Sequence, residues 1–358
     1  MKIPLHTKLR RNFRGYFYKI IALFIKNKTL QSSLDKSEIK NIVIIRPNYR
    51  IGNIIFLTPL INEIHKVIPE AKIDVIVGMK LAGDILQEMP NVENVLSIPR
   101  NLLLHPLQLY SFIKQTRKKK YDLAINISSG SLSSEIVTSL VNAKYKAGYI
   151  TKNFSRLTHA VERKRVYKHS GHQTLELLKL FDIELPSKET LLDIKLTDIE
   201  IETAKNELRK LLHENNIAED AKVIALFRNA RFDKKIPDEW WQEWFEALIA
   251  LDDNVVVIDI LSPDILEKLN DDVLEYSNKN LRALGALFRA CDIYISADTG
   301  PLHLASASDA RVLALFNKTN AEVYGTLGEK SQTVDINGLS AKEVANLTEN
   351  FLDIIRKK

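Results

Sequence analysis

The sequence predicts an α/β protein made of two doubly wound halves, with a basic amphipathic helix ahead of them. Three observations predict it. From about residue 41 short β-branched runs alternate with helical stretches. Each run is apolar throughout, as strands buried on both faces of a parallel sheet are. With 358 residues the chain is about two domains long. Strand–helix alternation over that length fits a doubly wound sheet better than a sandwich or a bundle.

The N-terminal arm differs from the rest. Residues 1–34 hold eight Lys/Arg and no acid, leaving 43 basic against 45 acidic residues and a net −2 for the remainder. A near-neutral globule with a basic arm argues against a nucleic-acid-binding body. Phe13, Tyr16, Phe17, Ile20 and Phe24 fall on one helical stripe, with Arg11, Arg14, Lys19 and Lys26 beside and behind it. Such a helix suits an anionic membrane surface, contacted through residues 1–28; packing on the protein's own body is the alternative. The longest apolar run, Ile20–Ile25, is far too short to span a bilayer, and Lys19 interrupts any signal-peptide pattern. One cysteine, Cys291, forms no intrachain bridge or thiolate cluster, which favours a reducing, cytoplasmic setting.

Strands are expected at Ile42–Ile45, Ile73–Val77, Asp122–Ile127, Val223–Phe227, Val255–Asp259, Asp292–Ser296 and Val312–Phe316. Helices are expected at Pro59–Val67, Ser133–Leu140, Glu239–Leu251, Leu281–Ala290 and about Ala341–Ile355, with another from Ile199. The alternation pauses after Leu185. The expected division is an arm at 1–40, one Rossmann-like domain at 41–185, a second at 186–340 and a C-terminal helix at 341–358. Ligands of open α/β sheets bind beyond the carboxyl ends of the strands, so the candidate residues lie there.

Three strand ends carry it. The first runs Ile45-Arg46-Pro47-Asn48-Tyr49-Arg50-Ile51-Gly52-Asn53, a turn into a helix with a glycine for close approach. It has neither G-x-G-x-x-G nor a Walker sequence, which disfavours dinucleotide and P-loop enzymes. The second, Arg228 to Pro237, sets four cations within eight residues, Arg231 and Lys234 among them. It fits a diphosphate, and equally a solvated turn. The third is Asp298-Thr299-Gly300-Pro301-Leu302-His303. Gly300 exposes helix-start amides, Thr299 adds a hydroxyl and Asp298 accepts from a polyol; as alternatives, Asp298 is an N-cap and His303 a core histidine.

These segments, in this order, resemble glycosyltransferase family 9, whose best-known members are the ADP-heptose:lipopolysaccharide heptosyltransferases. The likeness runs over roughly residues 41–330. It includes Leu57-Thr58-Pro59-Leu60, Gly130-Ser131-Leu132, His172 to Leu178, Lys234-Lys235-Ile236-Pro237 and Ala286–Ala305. The resemblance implies a GT-B fold, two Rossmann-like domains facing across a cleft. It implies inverting transfer of a sugar, expected to be heptose, from a nucleotide-diphosphate donor to a lipopolysaccharide-core or related lipid-linked glycan, with no catalytic metal and no cofactor beyond the donor, ADP-heptose being the expected one. A peripheral place at the inner face of the inner membrane follows.

Residue by residue, the resemblance makes Lys234 the diphosphate lysine. Asp298, Thr299, Gly300, Pro301 and His303 form the donor motif with Arg231 nearby, and Asp264 is the nearest candidate for the ribose. Asn53, Lys234 and Asp298 are the catalytic candidates; Arg50, Gly52 and Asn53 are the acceptor-side ones. One departure stands out: Asn53 occupies the place of the family's proposed general base, an Asp. An amide takes no proton at pH 7, and a general base contributes ~10²–10⁴-fold. The competing expectations are a sugar-nucleotide- or glycan-binding protein without turnover, and a sugar-nucleotide epimerase of the same fold.

Overall fold

The computed structural model describes residues 33–99, 105–150, 157–186, 190–262 and 268–356. The N-terminal arm and Asp264 therefore lie outside the described residues.

Twelve strands form two sheets of six among the described residues. The first contains β1 (Asn41–Arg46), β2 (Lys72–Val77), β3 (Val92–Ser97), β4 (Tyr121–Asn126), β5 (Ala143–Tyr149) and β6 (His159–Val161), in the order β3-β2-β1-β4-β5-β6. The second contains β7 (Lys222–Phe227), β8 (Val255–Ile260), β9 (Leu274–Tyr276), β10 (Ile293–Ala297), β11 (Val312–Phe316) and β12 (Ser331–Asp335), in the order β12-β11-β10-β7-β8-β9. Every pairing is parallel. The central strands are buried on both faces because helices cover both, and this is what their unbroken Ile/Val/Leu runs encode.

All seven expected strands form. Five more were not foreseen: β3, β5, β6, β9 and β12. Four of these are the sheet edges: β6 is only three residues long, and β3, β9 and β12 intersperse polar residues, as in Val-Glu-Asn-Val-Leu-Ser of β3 and Ser-Gln-Thr-Val-Asp of β12. β5 alternates lysines with apolar residues before its buried end. An edge strand is covered less, so it carries no continuous apolar signal.

The order of each sheet reverses once, between β1 and β4 and between β7 and β10. Ile45 of β1 pairs with Asn126 of β4, and Ser296 of β10 pairs with Phe227 of β7. A crevice opens beyond the strand ends at each reversal, because neighbouring connections leave in opposite directions there.

The two halves share one core. Ile54, Phe56 and Leu57 of the first belong to the same apolar cluster as Leu302, Leu304 and Ala305 of the second. The passage between sheets touches both sides: Asp193 N donates to Thr58 Oγ1 (3.2 Å) and Ile194 N to Ala307 O (3.0 Å). Buried Arg282 clamps it, donating to the carbonyls of Ile194 and Lys195 and pairing with Glu200. The last helix, Ala341–Arg356, packs on the second half: Trp244 Nε1 donates to Thr348 Oγ1 (3.2 Å) and Arg356 pairs with Asp292 (3.0 Å). No helix of the described residues is long and apolar enough to cross a membrane.

Candidate functional site

The site residues gather at the two reversal points. On the first half, β1 ends at Arg46 and the chain turns into the short helix Ile51–Ile55. Asn48 organises the turn, its Oδ1 accepting from the Arg50 amide (2.9 Å) and from Asn53 Nδ2 (3.1 Å). Arg46 Nη2 donates to Asn53 Oδ1 (3.2 Å). Asn53 is thus held at both ends of its amide, with one N–H and one oxygen lone pair left over. Arg50 itself is exposed.

Arg46 is a functional candidate that sequence reasoning passed over. Its Nε is buried without a partner. Burial, and then the neighbouring Arg163 guanidinium, press its pKa below the ordinary value. Arg163 donates to Gln173 Oε1 (2.6 Å) and stacks over Tyr149, whose hydroxyl donates to Gln173 O. The signal was present: an arginine closing an otherwise apolar strand. Across the reversal, Glu135 lies in the first turn of the helix Leu132–Leu140 that follows β4. It is buried, both carboxyl oxygens lack a hydrogen-bond partner, and burial pushes its pKa up to about 7.

On the second half, Lys234 follows β7 and Asp298 follows β10. Lys234 Nζ donates to Asp298 O (2.7 Å) and to its Oδ2 (3.2 Å), and Thr319 Oγ1 donates to the same Oδ2 (2.8 Å). His303 Nε2 lies 3.6 Å from the other oxygen, Oδ1. Burial pushes the Asp298 carboxyl up, but His303, Thr319 and the Lys234 charge outweigh it and hold the pKa below the ordinary carboxylate value. Asp298 is therefore an anion facing a lysine, and not a helix cap. The cap of Gly300–Ala307 is Thr299, whose hydroxyl accepts from Leu302 N (3.3 Å), with Pro301 in the first turn. Arg231 precedes the single 3₁₀ turn Phe232–Lys234 and is exposed; beside it Phe232 stands 82% exposed with φ 62°. Thr319 is a partner that the sequence did not disclose, because it sits after a different strand.

Gly52 and Gly300 join the two clusters. A Cβ on Gly300 would stand 3.2 Å from Ile51 Cβ, so the helix Gly300–Ala307 closes directly on the helix Ile51–Ile55. His303 faces Gly52 on one side and Asp298 on the other, under the edge of Phe56 (centroids 4.6 Å apart). One contact thus sets the Ile51–Ile55 turn against the Asp298–His303 segment. No three His, Cys, Asp or Glu of the described residues are grouped to hold a metal.

Comparison with known proteins bears on the family and the fold. The family model for glycosyltransferase family 9 (heptosyltransferase) matches residues 109–350. Lipopolysaccharide heptosyltransferase 3 of Escherichia coli is 24% identical over 296 residues, spanning 75% of this chain and 81% of that protein. A glycosyl transferase family 9 structure from Veillonella parvula superposes with a TM-score of 0.70 at 15% identity, covering 87% of this chain and 97% of that one. ADP-heptose lps heptosyltransferase II of E. coli gives 0.68 at 16% identity (87% and 98%), and E. coli heptosyltransferase WaaC with ADP gives 0.67 at 20% (87% and 99%). The common architecture of two facing six-stranded parallel sheets is the GT-B fold.

Proposed function

The chain belongs to glycosyltransferase family 9, and from that premise we propose that it transfers heptose from ADP-heptose to a lipopolysaccharide-core or related lipid-linked envelope glycan, with inversion and without metal or further cofactor. The observation that carries the reading is the Lys234–Asp298–Thr319 cluster at the second reversal point, set against the Asn53 turn through Gly52 and His303. The E. coli relative is a lipopolysaccharide heptosyltransferase, and one E. coli structure of the same fold is described with ADP-2-deoxy-2-fluoro heptose.

In this mechanism the acceptor oxygen attacks the anomeric carbon as the bond from that carbon to the diphosphate breaks. Negative charge grows on the leaving diphosphate. Lys234 turns from Asp298 to meet it, together with the Gly300 amide, since Pro301 has no N–H and Leu302 N is taken by Thr299; the stabilisation is electrostatic. Asp298 accepts from the sugar hydroxyls. Asn53, braced by Arg46 and Asn48, orients the acceptor hydroxyl in line, and its proton passes to solvent because the amide takes none. Arg231 flanks the nucleotide, and Asp264 is the candidate for its ribose. The N-terminal arm holds the protein at the inner face of the membrane, where lipid-linked acceptors lie, and the two lobes divide near residue 186 into acceptor and donor domains.

The test is turnover. ADP-heptose and a heptose-deficient core acceptor are incubated with the purified chain, and ADP release is followed beside the acceptor mass. Equimolar ADP and acceptor gaining one heptose supports the proposal. Asn53 favours a second reading, binding without turnover; ADP bound but no product, with transfer restored by Asn53→Asp, would establish it.

A further inference from the structure

The helix Pro106–Arg117 has two unlike faces. Its inner face, Leu109, Phe112 and Thr116, is buried or half-buried against β1, β2 and β4 through Val43, Ile45, Ile76 and Ala124. Its outer face recurs at Leu107, Tyr110, Ser111, Lys114, Arg117 and Lys118, all exposed. Leu107 is 84% exposed and Tyr110 67%. From Asn94 to Tyr121 the sequence contains no acidic residue, and no acid stands in the helix's first turn. Apolar groups in the first turn and cations in the last make a graded amphipathic face. Because the helix follows β3, its first turn lies toward the strand ends that carry Arg46 and Asn53.

We propose that this face docks the first half on an anionic lipid surface, Leu107 and Tyr110 entering the acyl boundary and Lys114, Arg117 and Lys118 resting on headgroup phosphates. Leu107 and Tyr110, side by side with three cations, offer an apolar edge that hydrocarbon or an apolar protein surface would cover. A second copy is disfavoured because a twofold contact would bring together two faces of like positive charge with no acid between them. The protein's own basic arm is disfavoured for the same reason. Lipid meets both requirements, since it offers acyl chains beside fixed negative charge. This surface does not depend on which sugar is transferred; it brings the membrane to the acceptor side of the cleft.

The experiment places a reporter on the face of the full-length chain. Leu107→Cys is labelled with an environment-sensitive fluorophore, Cys291 being buried, and Lys342→Cys on the exposed side of the last helix is the control. Vesicles of phosphatidylglycerol with phosphatidylethanolamine are compared with phosphatidylcholine alone. The expected result is a blue shift at position 107 with the anionic vesicles only, and none at 342. Adding Lys114→Glu and Lys118→Glu should weaken the titration at least tenfold, each cation near an anionic surface contributing about fivefold. Tyr110→Cys repeats the reading at a second site, with circular dichroism checking the fold of each variant. An unchanged label while the protein sediments with vesicles would assign docking elsewhere and overturn the proposal. So would no response to any vesicle, or a shift produced by duplex DNA or by raised protein concentration alone. The assay contains no sugar donor or acceptor, so its failure is separate from failure of the transfer reading.

Discussion

Gly52 and His303 meet where the two halves of the protein close: a Cβ at position 52 would stand 2.5 Å from Cδ2 of the histidine ring. His303 is buried, in edge contact with Phe56 and near Asp298, so its ring has little room to retreat. The glycine lets the helix Ile51–Ile55 lie against the helix Gly300–Ala307.

Gly52→Ala forces these two helices apart. Overpacking of this kind costs about 1–3 kcal/mol, and the expected outcome is a lower unfolding temperature together with a fall in kcat/KM, because the two strand-end clusters separate. Thermal unfolding and transfer rates measured on the same preparation check it. An unchanged melting temperature with an unchanged rate would mean that the two helices do not hold this contact in solution.

Asn53→Asp places a carboxylate beside Arg46 and removes the amide hydrogens that bond Asn48. The nearby guanidinium keeps the new carboxylate ionised and able to take the acceptor's proton. A gain of about tenfold or more in kcat is expected, with donor affinity unchanged, since a general base contributes ~10²–10⁴-fold and pairing with arginine weakens it. Steady-state kinetics with donor titration separates the two parameters. A kcat equal to the parent's would show that proton removal does not limit turnover.

The fold and much of the site were legible in the sequence, and the gaps have a common cause. Central strands such as Ile42–Ile45 and Val312–Phe316 read directly, because burial on both faces writes an apolar run. The edge strands β3, β9 and β12 did not, because half-covered residues are free to be polar. Asp298 and Lys234 sat in dense local motifs and come together as expected. Thr319 and Arg163 did not, because each joins its cluster from a different strand and only the sheet order brings it there. The role of Asp298 also needed the structure: the N-cap is Thr299, one residue on, which leaves the carboxylate to the lysine.

Glu135 should make stability depend on pH. Burial raises its pKa from 4.5 to about 7, so the folded state holds this proton where the unfolded chain has released it. Its contribution is therefore present below pH 4.5, declines as pH rises through the interval, and is lost above about 7, a change of up to about 3 kcal/mol. Glu135→Gln removes the charge. The variant should come close to the parent at pH 4 and exceed it at pH 8 in urea unfolding; an equal difference at both values would show that the carboxyl does not titrate abnormally.

Binding of ADP by calorimetry, to the full chain and to Lys234→Ala, tests the central claim most directly: that the second half's strand ends hold a nucleoside diphosphate. Loss of one charge-assisted contact costs about 1.5–3 kcal/mol, so the substitution should weaken ADP about 10- to 100-fold, with circular dichroism checking that the variant is folded. Equal affinity in the two proteins, or no ADP binding by the parent, would contradict the assignment.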